Sequence, residues 1–160
     1  AGKTTISDIL TDKIKTRYKR TEHLDGDVIR EFFPRTGFTR KDRDDHIRRV
    51  AYLAACLQRY DVMVIASLIS PYEDSRRFAR KLCKNFVEVY VSTSLSVCER
   101  RDVKGLYAKA RSGEISHFTG IDEPYETPSA PDITIDTSET SADQAADRII
   151  EYLEKKYGDV

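Results

Sequence analysis

Short apolar runs alternate with segments of helical periodicity along most of the chain, and this alternation is the strongest constraint on its fold. The run VMVIASLI at 62–69 is continuously apolar, as expected for a strand that is covered on both faces of a sheet. The preceding segment, 42–60, instead gathers its apolar residues on a single helical stripe. Strands that alternate with helices indicate an α/β fold built on a parallel sheet.

The same patterns predict the other elements. Predicted strands occupy 21–27, 62–69, 86–91 and 132–136. Predicted helices occupy 4–18, 42–60, 72–84, 94–101 and 106–112, followed by a last helix that Thr140 or Ser141 can cap. The chain has 160 residues and no internal repeat, so we expect one domain over 1–160 with a single core.

The first predicted helix follows a possible phosphate-binding turn. Gly2, Lys3 and Thr4 read as the second half of the pattern G-x-x-x-x-G-K-[ST]. A helix N-terminus can hold phosphates with its amides, while a lysine reaches the β- and γ-phosphates and a hydroxyl binds Mg²⁺. The alternative is a capped helix with an ordinary lysine. Because such a loop follows a strand and none precedes Ala1, we expect the natural protein to begin earlier, with a hydrophobic strand and a Gly-containing turn.

The stretch LDGDVIR places two carboxylates at the end of a predicted strand. Ligands of open parallel sheets bind beyond the carboxyl ends of the strands, so Asp25 and Asp27 are expected to face the phosphate loop. One carboxylate would hold Mg²⁺ through water, and the other would accept a proton from an attacking hydroxyl. Arg30 would meet an anionic substrate. The alternative is a turn with a helix cap at Asp27.

Two further loops carry residues suited to a nucleotide. Phe38 lies in a polar loop near Arg43, where it can stack on a base while the arginine pairs with phosphate or sulfate. A phenylalanine folded back into the core is the alternative. At the end of the strand at 62–69, Ser70 of the ISP triplet can hydrogen-bond a substrate, although a plain turn fits the spacing equally well.

The segment at about 100–122 is basic and interrupted by glycines, as expected for a mobile lid that closes over a nucleotide and excludes water. Arg101 and Lys104 can meet developing phosphoryl charge, and Phe118 is a second aromatic residue in a loop. The alternative is an ordinary solvated loop.

Composition excludes several other classes. Acidic and basic residues balance at 27 each, which gives no overall field for nucleic acid, and no apolar run is long enough to span a membrane. The three cysteines and three histidines show no metal-ligand spacing. An odd number of cysteines favours free thiols in a reducing cytoplasm.

Together these segments resemble the adenylylsulfate kinase (APS kinase) family of P-loop kinases. The resemblance is carried by GKTT, LDGD, ISP, RDVKGLYAKAR and FTGID, of which KGLY and FTGID are the most specific, and it covers nearly the whole chain. It implies a parallel sheet flanked by helices on both faces, with a lid. It also implies transfer of the γ-phosphate of ATP to the 3′-hydroxyl of adenosine 5′-phosphosulfate.

The resemblance also assigns roles to individual residues. It implies an ATP-binding set formed by the phosphate loop and one arginine: Gly2, Lys3, Thr4, Thr5 and Arg101. The implied catalytic residues are Lys3, Asp25, Asp27 and Lys104. The implied acceptor-binding residues are Arg30, Phe38, Arg43, Ile69, Ser70, Lys104 and Phe118, with the two phenylalanines on either side of the adenine. Thr4 and Asp25 would bind Mg²⁺, in part through water, and the family implies a homodimer that takes only small-molecule substrates.

Two positions depart from the family pattern. Many members have asparagine where this chain has Val28, and many have asparagine where it has His46. The imidazole of His46 has a different reach and can change the choice of acceptor. Two alternatives therefore remain: a P-loop kinase that acts on another nucleotide-like acceptor, and a non-catalytic nucleotide-binding regulatory domain. The second is disfavoured because Lys3, Asp25 and Asp27 are all present.

Overall fold

The computed structural model describes residues 2–33, 36–102 and 105–158. Within these ranges the elements, in chain order, are α1 (Lys3–Lys15), β1 (Thr21–Asp25), α2 (Gly26–Phe32), α3 (Arg40–Gln58), β2 (Met63–Ser67), α4 (Glu73–Leu82), β3 (Val89–Val91), α5 (Leu95–Arg101), α6 (Leu106–Arg111), β4 (Ile133–Ile135) and α7 (Ala142–Tyr157). None of the described helices has the length and hydrophobicity that crossing a bilayer requires.

The described strands form two parallel pairs. β1 pairs with β2, with Asp25 opposite Ser67, and β3 pairs with β4, with Val91 opposite Ile135. Helix α1 packs against β1 and β2, and it also joins β3 and β4 in one core cluster. The α/β class with parallel strands is therefore confirmed.

The main hydrophobic core lies between α1, α7 and the strands. Ile6, Leu10 and Ile14 recur on one face of α1 and are buried against Ile135 of β4 and the inner face of α7. Met63 and Ile65 of β2 pack on the same cluster. Because side chains alternate along a strand, the residues between them face the opposite side, where α3 packs against β2. Helices thus lie on both sides of β2, although the second side is left exposed at Ala66.

The two longest helices begin at capping boxes. The Thr39 hydroxyl accepts from the Asp42 amide while the Asp42 carboxylate accepts from the Thr39 amide, so α3 begins two residues before the predicted position. Ser141, rather than Thr140, caps α7 in the same way with Gln144. The apolar stripe of α3 starts only after its polar first turn, which explains the late predicted start.

Two expectations about the strands need correction. The run at 62–69, predicted to be covered on both faces, forms a strand only over Met63–Ser67, and Ala66 in it is exposed. The segment 86–91, predicted to be a buried strand, is a half-buried strand over Val89–Val91. In the described ranges each of these strands hydrogen-bonds to one neighbour only, which leaves its other edge open.

A cluster of charged residues lies at the amino ends of β3 and β4. The Asp132 carboxylate accepts hydrogen bonds from the Glu88 amide at 2.8 Å and from Arg80 at 2.7 Å, and it lies 3.2 Å from the Lys156 ammonium. Burial raises the pKa of Asp132, but the hydrogen bonds outweigh it and lower the pKa to about 2. The ionised form of Asp132 therefore stabilises the folded protein.

We expect Asp132→Asn to lower the free energy of unfolding by about 2 kcal/mol at pH 7. Because the pKa of Asp132 is lowered in the folded protein, its carboxylate adds to the free energy of unfolding of the wild type. This contribution is complete above the pKa of the unfolded chain and is lost as the pH falls towards about 2. The gap between wild type and variant, measured by urea unfolding, should therefore narrow between about pH 5 and pH 2. The exposed Asp12→Asn is the matched control. A gap that stays constant with pH would contradict this account.

Candidate active site

The N-terminus of α1 lies at the carboxyl ends of the strands. Gly2 precedes the helix in the left-handed region, with φ of 84°, a conformation that glycine adopts at no steric cost. A β-carbon on Gly2 would lie 3.7 Å from the side chain of Thr137, just after β4. Lys3 is half-buried in the first turn of the helix, and Thr4 and Thr5 beside it are exposed. The helix therefore presents its positive end at the edge where a ligand would bind.

Asp25 connects this helix to both strands of the first pair. The Thr4 hydroxyl lies 3.4 Å from Asp25 Oδ2, which also accepts a hydrogen bond from the Ser67 hydroxyl at 3.0 Å. Asp25 Oδ1 accepts from the amides of Asp27 at 2.8 Å and Val28 at 3.3 Å. Asp25 is thus the N-cap of α2, a helix that we did not predict, and the cap that we considered at Asp27 lies two residues earlier.

These hydrogen bonds control the charge of Asp25. Burial raises the pKa of Asp25, but the bonds from the Asp27 and Val28 amides and from Ser67 outweigh it, and the net pKa lies below the ordinary value. Asp25 is therefore ionised and a weak base. Asp27, in the first turn of α2, is exposed.

The glycine between the two aspartates is required by packing. A β-carbon on Gly26 would come within 3.1 Å of the Leu68 side chain and 3.3 Å of the Ser67 carbonyl oxygen. A larger residue would push α2 away from the end of β2, and both carboxylates would move with it.

An arginine pair surrounds Phe38. Arg30 donates to the Gly37 carbonyl at 2.7 Å, and its guanidinium carbon lies 4.7 Å from the centre of the Phe38 ring. The buried Arg43 donates to the Phe38 carbonyl at 2.9 Å and also to the carbonyl of His117, which precedes Phe118. Arg43 therefore joins the two loops that carry the candidate stacking residues. Phe38 is half-exposed rather than folded into the core, with 51% of its surface accessible.

The FTGID turn is organised by its own aspartate. The Asp122 carboxylate accepts from the amides of His117, at 2.7 Å, and Phe118. The Phe118 ring packs edge-on against Tyr107 of α6, with 5.0 Å between ring centres. Helix α6 and this turn together hold Phe118 in place.

Arg101, at the end of α5, contacts the phosphate-loop side of the site. It donates to the hydroxyl and to the carbonyl of Thr137, each at 2.8 Å, and the Thr137 amide donates to the Thr93 hydroxyl. Arg101 therefore reaches the residue that packs beside Gly2. Lys104, the other lid cation that we predicted, lies outside the described residues.

The ISP turn is held by a buried arginine. Ile69 is exposed, and Ser70 adopts a positive φ of 44°, which is unusual for a residue other than glycine. Arg76 donates to the Ser70 carbonyl at 2.7 Å and to the Glu126 carbonyl at 2.7 Å, and it pairs with Glu73 at 2.6 Å. The turn at the end of β2 is thus tied to the segment that follows the FTGID turn.

His46 contacts the backbone between the two aspartates. It is buried, and its Nε2 lies 2.9 Å from the Gly26 carbonyl, to which it donates. Burial, with a smaller effect from the Arg30 guanidinium, lowers the pKa of His46, so the ring is neutral at pH 7. Its Nδ1 is buried and has no hydrogen-bond partner in the described part of the chain.

The oxygen atoms near the phosphate loop fit a magnesium ion that takes most of its ligands from water and from the phosphates of a nucleotide. Thr4 and Asp25 supply a hydroxyl and a carboxylate 3.4 Å apart. No group of three potential ligands among histidine, cysteine, aspartate and glutamate occurs in the described residues. Magnesium in nucleotide sites keeps several waters and binds one or two protein groups plus phosphates, so this sparse donor set suits it.

Several residues with clear positions in the site were not predicted. Ser67 interrupts the apolar run at 62–69, and Thr137 directly follows the last predicted strand, so their positions in the sequence were usable signals. Asp122, which follows a glycine within a turn, matches the way aspartates organise loops. No pattern in the sequence indicated the role of Arg76, because its hydrogen-bond partners lie up to 50 residues away.

Comparison with known proteins matches the chain to the family described as adenylylsulphate kinase over residues 1–136. It is 46% identical over 157 residues to an adenylyl-sulfate kinase of Halothermothrix orenii, which covers 98% of this chain and 85% of that protein. It is 49% identical to the Pseudomonas aeruginosa adenylyl-sulfate kinase, over 96% of this chain and 80% of that one. Its fold is similar to that of the APS kinase of Mycobacterium tuberculosis in complex with AMPPNP and APS, with a TM-score of 0.90, 39% identity and coverage of 96% and 91% of the two chains.

Proposed function

The chain belongs to the adenylylsulphate kinase family, and on that premise we propose that its site transfers the γ-phosphate of ATP to the 3′-hydroxyl of adenosine 5′-phosphosulfate. The observation that carries the proposal is the convergence of the α1 N-terminus, Thr4 and Asp25 at one edge of the strands. Phosphoryl transfer depends mainly on positioning and charge stabilisation, which is what this arrangement supplies.

In the proposed mechanism the phosphates of ATP bind the amides at the start of α1. Lys3 neutralises charge that develops on the transferred group, and Arg101, beside Gly2, packs against the ATP adenine. Thr4 and Asp25 would hold Mg²⁺, which would neutralise charge on the phosphates of ATP. Thr5 completes the phosphate loop.

We assign the role of general base to Asp27. The attacking 3′-hydroxyl must lose a proton as it bonds to phosphorus. Asp25 accepts hydrogen bonds from two amides and from Ser67, and these bonds hold its pKa below the ordinary value, so it is a poor proton acceptor. Asp27 is exposed in the first turn of α2, where a ribose hydroxyl can reach it.

The acceptor is proposed to lie between Phe38 and Phe118. Arg43 already joins the backbones of these two loops, and Arg30 packs on the Phe38 ring. The adenine would stack between the rings, with the arginines near the phosphosulfate. Ile69 and Ser70 line the pocket. The lid at about 100–122, with Lys104, would close over the reacting phosphates.

We expect Phe118→Ala to raise the Kd of adenosine phosphosulfate by about 5- to 150-fold, because a stacked base contributes about 1–3 kcal/mol. Binding of ATP should change little, since Phe118 lies on the acceptor side. Isothermal titration with each ligand measures both effects, and Phe118→Trp, which keeps an aromatic face, should retain most of the affinity. An unchanged acceptor Kd in the alanine variant would remove the stacking role.

A panel of acceptors tests the substrate assignment. Consumption of ATP is followed with adenosine phosphosulfate, adenosine monophosphate and other nucleotides at equal concentrations. The proposal requires adenosine phosphosulfate to give the largest kcat/KM. A larger value for another nucleotide would support the alternative acceptor that His46 suggests, and nucleotide binding without turnover would indicate a regulatory domain.

We also propose the homodimer that the family implies. Val28 and Phe32, one turn apart on α2, are 52% and 78% exposed, which is unusual for large apolar side chains. A second copy of this chain would cover them. Sedimentation should give a dimer for the wild type and a monomer for Phe32→Asp, whereas a monomeric wild type would reject the proposal.

A further inference from the structure

Four side chains form a continuous line from the surface to the Asp25 carboxylate. Asp8 Oδ1 lies 3.4 Å from His23 Nδ1, and His23 Nε2 lies 2.9 Å from Ser67 Oγ. The Ser67 hydroxyl lies 3.0 Å from Asp25 Oδ2. His23 and Ser67 are mostly enclosed, with 16% and 8% of their surface accessible. The proposed mechanism uses only the last member of this line.

The four side chains line up because the rise along helix α1 and the rise along strand β1 give similar intervals. Residues 4 and 8 lie on the same face of α1, about 6 Å apart along the helix axis. Residues 25 and 23 lie on the same face of β1, about 6.6 Å apart. The two intervals nearly match, so Thr4 meets Asp25 while Asp8 meets His23. Ser67 is the direct cross-strand partner of Asp25 in the β1–β2 register.

The direction of the hydrogen bonds follows from donor accounting. Asp25 Oδ1 accepts from the Asp27 and Val28 amides, and Asp25 Oδ2 accepts the single hydroxyl proton of Ser67. The Ser67 oxygen is then an acceptor, and His23 Nε2 must carry a proton and donate to it. The other ring nitrogen, Nδ1, faces the Asp8 carboxylate.

We propose that His23 and Ser67 are positioning residues for phosphoryl transfer, which together orient the Asp25 carboxylate for the role assigned to it above. The proposal rests on the proposed function. Oδ1 of Asp25 is fixed by the amides of α2, but Oδ2, which faces Thr4, is fixed by Ser67. His23 in turn fixes the rotamer of the Ser67 hydroxyl. Without this support the oxygen nearest the phosphate loop keeps only the longer contact of 3.4 Å to the Thr4 hydroxyl.

Four variants test the coupling. Ser67→Ala should lower kcat about 10-fold, and His23→Leu about 3-fold, with the KM of adenosine phosphosulfate changed less than about two-fold. His23→Gln, whose amide can donate from nearly the same position, should recover most of the loss. In the double variant His23→Leu/Ser67→Ala, kcat should be almost the same as in Ser67→Ala alone. The reason is that His23 acts on Asp25 only through the Ser67 hydroxyl, which the alanine has already removed.

A matched control separates positioning from general loss of stability. Ser75 is buried and donates to the Asp44 carboxylate at 2.6 Å, between α3 and α4. Ser75→Ala should lower the thermal midpoint while leaving kcat unchanged. Wild-type kcat in Ser67→Ala, or independent effects of the two substitutions, would overturn the positioning role while leaving the proposed function intact. Failure of the wild type to phosphorylate the acceptor would instead reject the proposed function.

A spectroscopic readout does not depend on turnover. In protein labelled with ¹⁵N-histidine, His23 should show a protonated Nε2 in the absence of substrates, and Ser67→Ala should shift that resonance. An unprotonated Nε2 would mean that Ser67 donates to His23 instead of to Asp25, which would overturn the proposal.

Discussion

Lys3→Ala is expected to lower kcat by about 100- to 1,000-fold, because it removes the cation that compensates charge on the transferred phosphoryl group. Lys3 occupies the first turn of α1, directly after the left-handed Gly2, so its side chain starts at the positive end of the helix. An interaction that strengthens as charge develops acts mainly on the transition state. The KM for ATP should therefore rise less than kcat falls.

Lys15→Ala is the matched control, since it removes an exposed lysine from the opposite end of the same helix. Steady-state kinetics of both variants, with circular dichroism to verify folding, separate the local effect from a change in net charge. Turnover near the wild-type rate in Lys3→Ala would remove Lys3 from the mechanism.

Asp27→Asn is expected to lower kcat by about 100-fold or more, because an amide cannot accept the proton of the attacking hydroxyl. The asparagine side chain has nearly the same volume as the aspartate and keeps its place in the first turn of α2, so the KM values of both nucleotides should stay close to those of wild type. Asp25→Asn, by contrast, alters the residue that caps α2 and faces Thr4. That variant should weaken the binding of magnesium as well as slow turnover.

The two aspartates are thus distinguished by their dependence on metal. A titration with Mg²⁺ at saturating nucleotides should give a raised half-saturating concentration for Asp25→Asn and an unchanged one for Asp27→Asn. The reverse pattern would exchange their roles. Asp12→Asn, on the exposed side of α1, controls for the loss of one negative charge.

The class of fold could be predicted because it is encoded in local patterns. The apolar stripes of α1, α3 and α7 and the apolar runs of β2, β3 and β4 are visible within short windows of sequence. Helix α2 was missed because it is only seven residues long and begins with a glycine, which reads as a turn. Its start is determined by Asp25, which holds the first amides.

The positions of Asp25 and Thr4 at one edge could also be predicted, because a parallel sheet brings the carboxyl ends of its strands together. Contacts between distant segments could not. Arg43 reaches the His117 carbonyl across 74 residues, and no spacing in either segment indicates it. The burial of His46 against the Gly26 carbonyl is of the same kind, since the sequence shows only a polar residue within a helix.

The most direct test of the account is the identity of the product. The purified protein is incubated with ATP, Mg²⁺ and adenosine 5′-phosphosulfate, and the nucleotide product is analysed by ³¹P NMR and mass spectrometry. We predict ADP and an acceptor that carries one new phosphate on the ribose 3′-oxygen, formed by wild type and far more slowly by Lys3→Ala. A phosphate at another position, or ATP hydrolysis with the acceptor unchanged, would contradict the account.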